Sequence, residues 1–187
     1  MELCGVYLNR GRMVSSLISA LLLLLPFFFG EQILLLLNQD PEVSVIAAKF
    51  INCLLPGVFV ANQYDLMRRW LICLKYSVFP MVILMASVVL HVPLAIYMVT
   101  QTSYGIYSLG IVSFITGVMQ LIAILVYSQF KAELKDGLFW PRRDSFEGWG
   151  EYLSISIPAM IMICSEWWFY EILVVMAGMM GVAQLNV

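Results

Sequence analysis

Charge is scarce in this chain. Of its 187 residues only 12% are Asp, Glu, Lys or Arg, where a soluble domain carries about a quarter. The net charge of −2 is weak, and no basic patch with interleaved aromatics occurs. Both features argue against nucleic acid as a partner. There is a single histidine, and the four cysteines (Cys4, Cys53, Cys73, Cys164) show no CxxC spacing. A zinc site or a disulfide framework is therefore not expected, no metal ligands are assigned, and each cysteine reads as a small buried apolar residue. No nucleophile–base pair, metal cluster or phosphate-cradling loop is present, so an enzyme is not expected. What fills the chain instead is apolar: 62% of the residues are hydrophobic, and the mean hydropathy is +0.91. Such a composition belongs in a lipid bilayer, which is the first partner the sequence implies.

A helix needs roughly 20 apolar residues to cross the hydrocarbon core. Five stretches qualify: about Met13–Phe29, with Ile33–Leu37 as an extension past Gly30; Val43–Leu66, broken at Pro56-Gly57; Val78–Val99, containing Pro93; Tyr104–Phe130; and Leu153–Met180, with Pro158 near its start. Arg10 and Arg12 precede the first run as in a secretory signal, but no small-x-small cleavage site follows "LLLLLPFFFG". The run reads as a true span or an uncleaved anchor. The expected fold class is an all-α integral membrane protein with five transmembrane helices.

The cations orient the spans. If the first span starts inside, the cytoplasmic segments hold Arg10, Arg12, Arg68, Arg69, Lys75, Lys131, Lys135, Arg142 and Arg143, and the outside segments hold only Lys49. Positive side chains stay on the cytoplasmic side of short loops, so the alternation supports that topology. Residues 131–152, "KAELKDGLFWPRRDSFEGWGEY", mix both charge signs with Phe139, Trp140, Phe146 and Trp149. They read as a partly helical cytoplasmic linker lying against the headgroups, or as a solvated loop.

The last span carries two acids, Glu166 and Glu171, in "IMICSEWWFYEILVVMAG". A charged group near the bilayer centre costs about 2.5–3.5 kcal/mol on insertion scales. Two such costs on a lipid-facing surface are hard to sustain, so both acids are expected to face protein or water. Five residues of helix set them about 140° apart around the axis and about 7.5 Å apart along it, which is not a close carboxylate dyad. Burial disfavours the charged form of a carboxyl group. Such an acid exchanges a proton or pairs with a cation, but not both at once, and that exclusion is the minimal chemistry of antiport. Trp167, Trp168, Phe169 and Tyr170 lie between the acids, and aromatic faces attract organic cations by about 2 kcal/mol when desolvated. The alternative is structural: acids hydrogen-bonded to a neighbouring helix, with the aromatics as ordinary packing.

The block "CSEWWFYE" within Ser145–Gly178 resembles the seventh transmembrane segment of eukaryotic MATE (multidrug and toxic compound extrusion) transporters. "YLNRGRMV", "NQDPEVSVIAAKF", "LLPGVF" and "LMRRWL" resemble that family's third and fourth segments and their loops, in the right order. The resemblance implies a fragment covering segments three to seven of a twelve-helix, two-lobed protein. Residues 1–130 would form part of the N-terminal lobe, with four helices. Residues 131–152 would be the cytoplasmic linker, and 153–187 the first helix of the C-terminal lobe. It further implies efflux of organic cations or other xenobiotics by antiport, with the proton as the expected coupling ion and Na⁺ as the alternative, and no cofactor. The family's substrate- and proton-binding glutamates fall on Glu166 and Glu171. One departure is that Ile72 and Leu74 stand where many relatives carry glutamines. The first two segments and all that follow the seventh are absent, so missing helices or another chain are expected to complete a transporter. The plasma and vacuolar membranes both remain open.

Other polar residues have two readings each. Trp167, Tyr170, Asn62 and Gln63 are candidates to line a cavity, with packing hydrogen bonds the favoured role for Asn62 and Gln63. His91 is a candidate proton relay, or it bonds the Val89 carbonyl that Pro93 leaves free. Arg68 and Arg69 read as topogenic charges. The competing reading for the whole chain is a non-transporting structural or interaction membrane protein, in which the acids only seal helix contacts. A lipid-linked sugar flippase would demand a cationic cavity deep in the spans, and none is evident from the sequence.

Overall fold

The computed structural model describes residues 2–36, 40–135, 137–139 and 143–179. It is helical throughout, with no strand among the described residues: α1 (Glu2–Leu36), α2 (Pro41–Cys73), α3 (Val78–Gln101), a 3₁₀ turn (Gly105–Tyr107), α4 (Ser108–Phe130), a short α5 (Ala132–Lys135), a second 3₁₀ turn (Arg143–Phe146) and α6 (Trp149–Met179). Among the described residues five helices are long and apolar enough to cross a membrane. The protein is therefore a multi-pass membrane protein. The chain divides into two compact units, Met1–Ser145 and Phe146–Val187.

Several expected boundaries move. The first span is one unbroken helix from Glu2, because Asn9 is buried and bonded and Arg12 and Ser16 hydrogen-bond to α2. Pro56-Gly57 does not break α2. Proline removes one ladder bond, and neighbouring helices sustain such helices in a membrane. Here Gly57 lies flat against α4, where an added Cβ would stand 3.2 Å from the Phe114 nitrogen. The start of α2 is set locally. Asp40 caps it by accepting from the Glu42 amide at 2.9 Å, Pro41 fills the first helical position, and Glu42 complements the helix dipole. Its end is marked by Lys75 in the left-handed region at φ 67°. The cysteine expectation also fails: Cys4 and Cys73 are exposed, and Cys53 and Cys164 half-exposed.

In the first unit α2 packs on α1 and α4, and α3 packs on α4. Two kinds of contact hold these helices. Toward the cation-rich end lies an interdigitated cluster of Leu8, Tyr64, Met67, Trp70, Leu71, Ile83, Ile124 and Leu134, of which Met67, Leu71, Ile124 and Leu134 are wholly buried. Toward the other end α2 and α4 touch through small residues. A Cβ on Gly110 would lie 2.5 Å from the Cys53 carbonyl oxygen, and one on Gly117 would lie 3.4 Å from Val60. Lipid offers helices little hydrophobic reason to associate, so close backbone approach at small residues and interhelical hydrogen bonds do that work.

The linker's first stretch does not lie free. Leu134 on α5 is part of the buried cluster, the Tyr76 hydroxyl donates to Glu133, and the Asn9 side chain donates to the Phe139 carbonyl at 2.8 Å. Trp140 lies outside the described residues. Phe146 and Trp149, in the second unit, stack with ring centroids 6.4 Å apart.

Candidate functional site

The second unit is built on α6, whose 31 residues extend about 46 Å. Glu166 lies 17 residues past Trp149, just beyond the helix midpoint. Glu171 follows one and a half turns later, so the structure keeps the two acids on one helix but on different faces. Residues three or four apart in sequence are neighbours on a helix surface. Tyr170 therefore follows Glu166 by one turn, and Glu171 follows Trp167 by one turn. Each carboxylate shares its face with an aromatic ring. Trp167 and Tyr170 are 69% and 66% exposed, and Phe169 meets Tyr170 edge-on at 6.1 Å.

In the first unit Asn62 and Gln63 are brought together with one face of α1. Asn62 donates to Ser15 Oγ at 3.0 Å and to Ser19 Oγ at 2.6 Å, and accepts from Ser15 at 3.3 Å. Gln63 donates to Ser16 Oγ at 2.9 Å and accepts from Arg12 Nε at 3.3 Å. Their readings as cavity-lining and as packing residues coexist. Asn62 borders a cavity of about 660 Å³ with Ser19, Tyr64, Asp65, Arg68 and Gln120. Gln63 borders one of about 400 Å³ with Asn9, Arg12, Ser16 and Gln129.

Asp65 has no role in the sequence reading. It holds both Arg68 and Arg69, the latter at 2.6 Å, from one turn earlier on α2. The i,i+3 and i,i+4 spacing was the available signal. The two arginines are thus more than topogenic charges. Gln120 on α4 was also missed. It bonds Ser87 on α3 at 2.6 Å and borders both the 660 Å³ cavity and a smaller one of about 280 Å³ between α3 and α4.

His91 bonds across helices rather than within its own, correcting the expected Val89 partner. Its Nδ1 lies 3.1 Å from Thr116 Oγ1. The Thr116 hydroxyl also lies 2.9 Å from the Val112 carbonyl on its own helix.

Five membrane-length helices, interhelical polar contacts and paired acid–aromatic faces on an apolar helix define a polytopic helical-bundle membrane protein. The family model described as MatE matches residues 1–98, and the chain belongs to that family, one of transporters rather than enzymes. It is 32% identical over 190 residues to multidrug and toxin extrusion protein 2 of Pongo abelii, covering 97% of this chain and 31% of that protein. It is 28% identical over 188 residues to Protein DETOXIFICATION 48 of Arabidopsis thaliana, covering 97% of this chain and 34% of that one. The crystal structure of the eukaryotic MATE transporter AtDTX14 superposes with a TM-score of 0.83 at 26% identity, covering 98% of this chain and 41% of that chain. The chain thus spans about a third of the length of the curated relatives it matches.

Proposed function

We propose that this chain supplies part of the N-terminal lobe and the first C-terminal-lobe helix of a transporter that exports organic cations or related xenobiotics by proton-coupled antiport. The reading rests on one observation: Glu166 and Glu171 lie in an otherwise apolar, membrane-length helix, each with an aromatic one turn away on its own face. A carboxylate beside a π face offers a cation charge and polarisable surface together. Protonation removes the charge and releases the cation, so the two occupants exclude each other. Glu166, nearer the helix midpoint, is assigned the exchange. Glu171 tunes or shares it, Trp167 and Tyr170 line the path, and His91 serves as a subsidiary proton holder.

Alternating access needs two halves around a shared site. On this reading, transport requires the helices that relatives carry outside the matched region, supplied by a longer product or a second chain. The test uses a full-length relative in proteoliposomes with an imposed pH gradient. Replacing the glutamate that aligns with Glu166 by glutamine should abolish gradient-driven export of a fluorescent organic cation. Unchanged export removes the assignment, and loss of gradient dependence with residual facilitated flux assigns the residue to coupling alone.

A further inference from the structure

We propose that the 400 Å³ cavity beside Arg12 is a binding site for a phosphate-type oxyanion at the cation-rich face of the first unit. Its size falls within the range of ligand pockets, roughly 300–1,000 Å³, and it lies where α1, α2 and α4 meet the residue 137–139 stretch. Its chemistry follows from hydrogen-bond bookkeeping. Arg12 uses its Nε–H on Gln63 Oε1. A guanidinium has five N–H donors, and among the described residues the remaining Arg12 donors have no protein acceptor and the side chain forms no ion pair. Gln63, only 8% exposed, accepts from Arg12 on its oxygen and donates one N–H to Ser16. Ser16 Oγ therefore accepts, and its own hydrogen remains to donate. Asn9, 2% exposed, is committed to the Phe139 carbonyl. Arg12 is the charged group of the lining, Ser16 and Gln129 add a hydroxyl and an amide, and none of the lining residues is acidic.

The contrast with Arg68 and Arg69 is instructive, because both already hold Asp65. Arg12 has the opposite arrangement: a partly withdrawn cation held by the neutral Gln63 amide and lining a cavity. Arginine with open paired donors suits bidentate binding of phosphate. Basic pockets between spans at the cytoplasmic face bind lipid headgroups. The same chemistry admits two sources, the phosphate of an inner-leaflet lipid or free phosphate. The proposal does not depend on the transport reading, since it concerns neither Glu166 nor Glu171.

The test uses the full 187-residue chain in a neutral detergent. It is titrated separately with inorganic phosphate, with short-chain phosphatidic acid and with the matching diacylglycerol, and read by native mass spectrometry and tryptophan-monitored unfolding. Retention of phosphatidic acid but not diacylglycerol identifies a lipid headgroup, and retention of phosphate identifies a free anion. Arg12→Gln should weaken whichever binds by roughly tenfold or more, as expected for one hydrogen-bonded charge. Lys49→Gln, at the far end of α2, should leave binding unchanged. If Arg12→Gln does not fold, Ser16→Ala removes a single donor and should weaken binding severalfold. Binding of neither phosphate species, equal retention of diacylglycerol, or unaltered affinity in both cavity variants overturns the proposal.

Discussion

Replacing Gly110 by alanine should destabilise the first unit by about 2 kcal/mol, and the estimate follows from the contact between α2 and α4. The new Cβ would stand 2.5 Å from the Cys53 carbonyl oxygen, 2.6 Å from its carbon and 2.8 Å from the Cys53 Cβ. An ordinary C···O approach is about 3.3 Å or more, so the helices must part locally by roughly 0.8 Å. A gap of that size forfeits about a quarter to a half of each dispersion contact across it. The obstruction is backbone, which cannot rotate away, so the cost belongs at the upper end of the range for overpacking, about 1–3 kcal/mol. Against it stands the gain of alanine over glycine in a helix, about 0.8–1.0 kcal/mol. Controls on the same scale are built into the chain. A Cβ at Gly150 meets nothing within 4 Å, and one at Gly30 meets Ala48 at 3.7 Å, so alanine at either should be neutral or stabilising by up to about 1 kcal/mol. The assay is reversible unfolding in mixed micelles, with helicity followed by circular dichroism. Gly110→Ala as stable as the parent, or more so, would refute the claim that backbone contact sets the α2–α4 distance.

Leu134→Ala should cost about 2–5 kcal/mol, because this side chain is wholly buried in the cluster formed with Met67, Leu71 and Ile124. Proteolysis between α5 and α6 should also start earlier in the chain, and an unchanged cleavage site would count against the docked linker. Asn62→Leu removes three interhelical hydrogen bonds to Ser15 and Ser19, and at about 0.6 kcal/mol per bond in a membrane it should lower unfolding stability by about 2 kcal/mol. The Tyr76 phenol is raised above its ordinary value, first by its hydrogen bond to Glu133 and then by partial desolvation and the carboxylate's charge. Its contribution is therefore fully present below the ordinary tyrosine range of about 10 and lost as pH rises through the raised value. The stability difference between parent and Tyr76→Phe should stay constant from neutral pH to the ordinary tyrosine value and vanish beyond the raised one. Lys75 adopts φ 67°, a left-handed conformation that costs a non-glycine residue about 1–2 kcal/mol, so Lys75→Gly should raise the unfolding midpoint.

The five spans and their all-helical class were legible because apolar length alone decides what crosses a bilayer. Their ends were less so. The sequence reading starts the first span at Met13, after the cytoplasmic charges Arg10 and Arg12. In the fold, Asn9 and Arg12 find partners at Phe139 and Gln63, 130 and 51 residues away. Pro56-Gly57 looked like a break because the contact that makes glycine useful there, the α4 backbone at Ser113 and Phe114, is invisible locally. Glu166 and Glu171 stood out because carboxylates are conspicuous among apolar neighbours, and their angular separation required only helix geometry. Asp65 was legible by spacing and overlooked because two adjacent arginines already had a topological explanation. The cavities joining Ser19, Asn62 and Gln120, or Arg12, Gln63 and Gln129, assemble from three helices, and no local pattern announces them.

The pairs that join α3 to α4 restrict how those helices can shift. Ser87 meets Gln120, His91 meets Thr116, and further down Phe79 stacks on Tyr127 with ring centroids 3.7 Å apart. The two helices run antiparallel, and the polar rungs are one turn apart on each. A slip of one turn, about 5.4 Å, could bring His91 opposite Gln120, but Ser87 would then oppose Ile124 and lose its partner. Half-turn offsets satisfy neither rung. The pair therefore behaves like a key with two teeth: a one-turn slide in either direction loses one rung, so shear within this half of the bundle is taken up more readily along other helix boundaries.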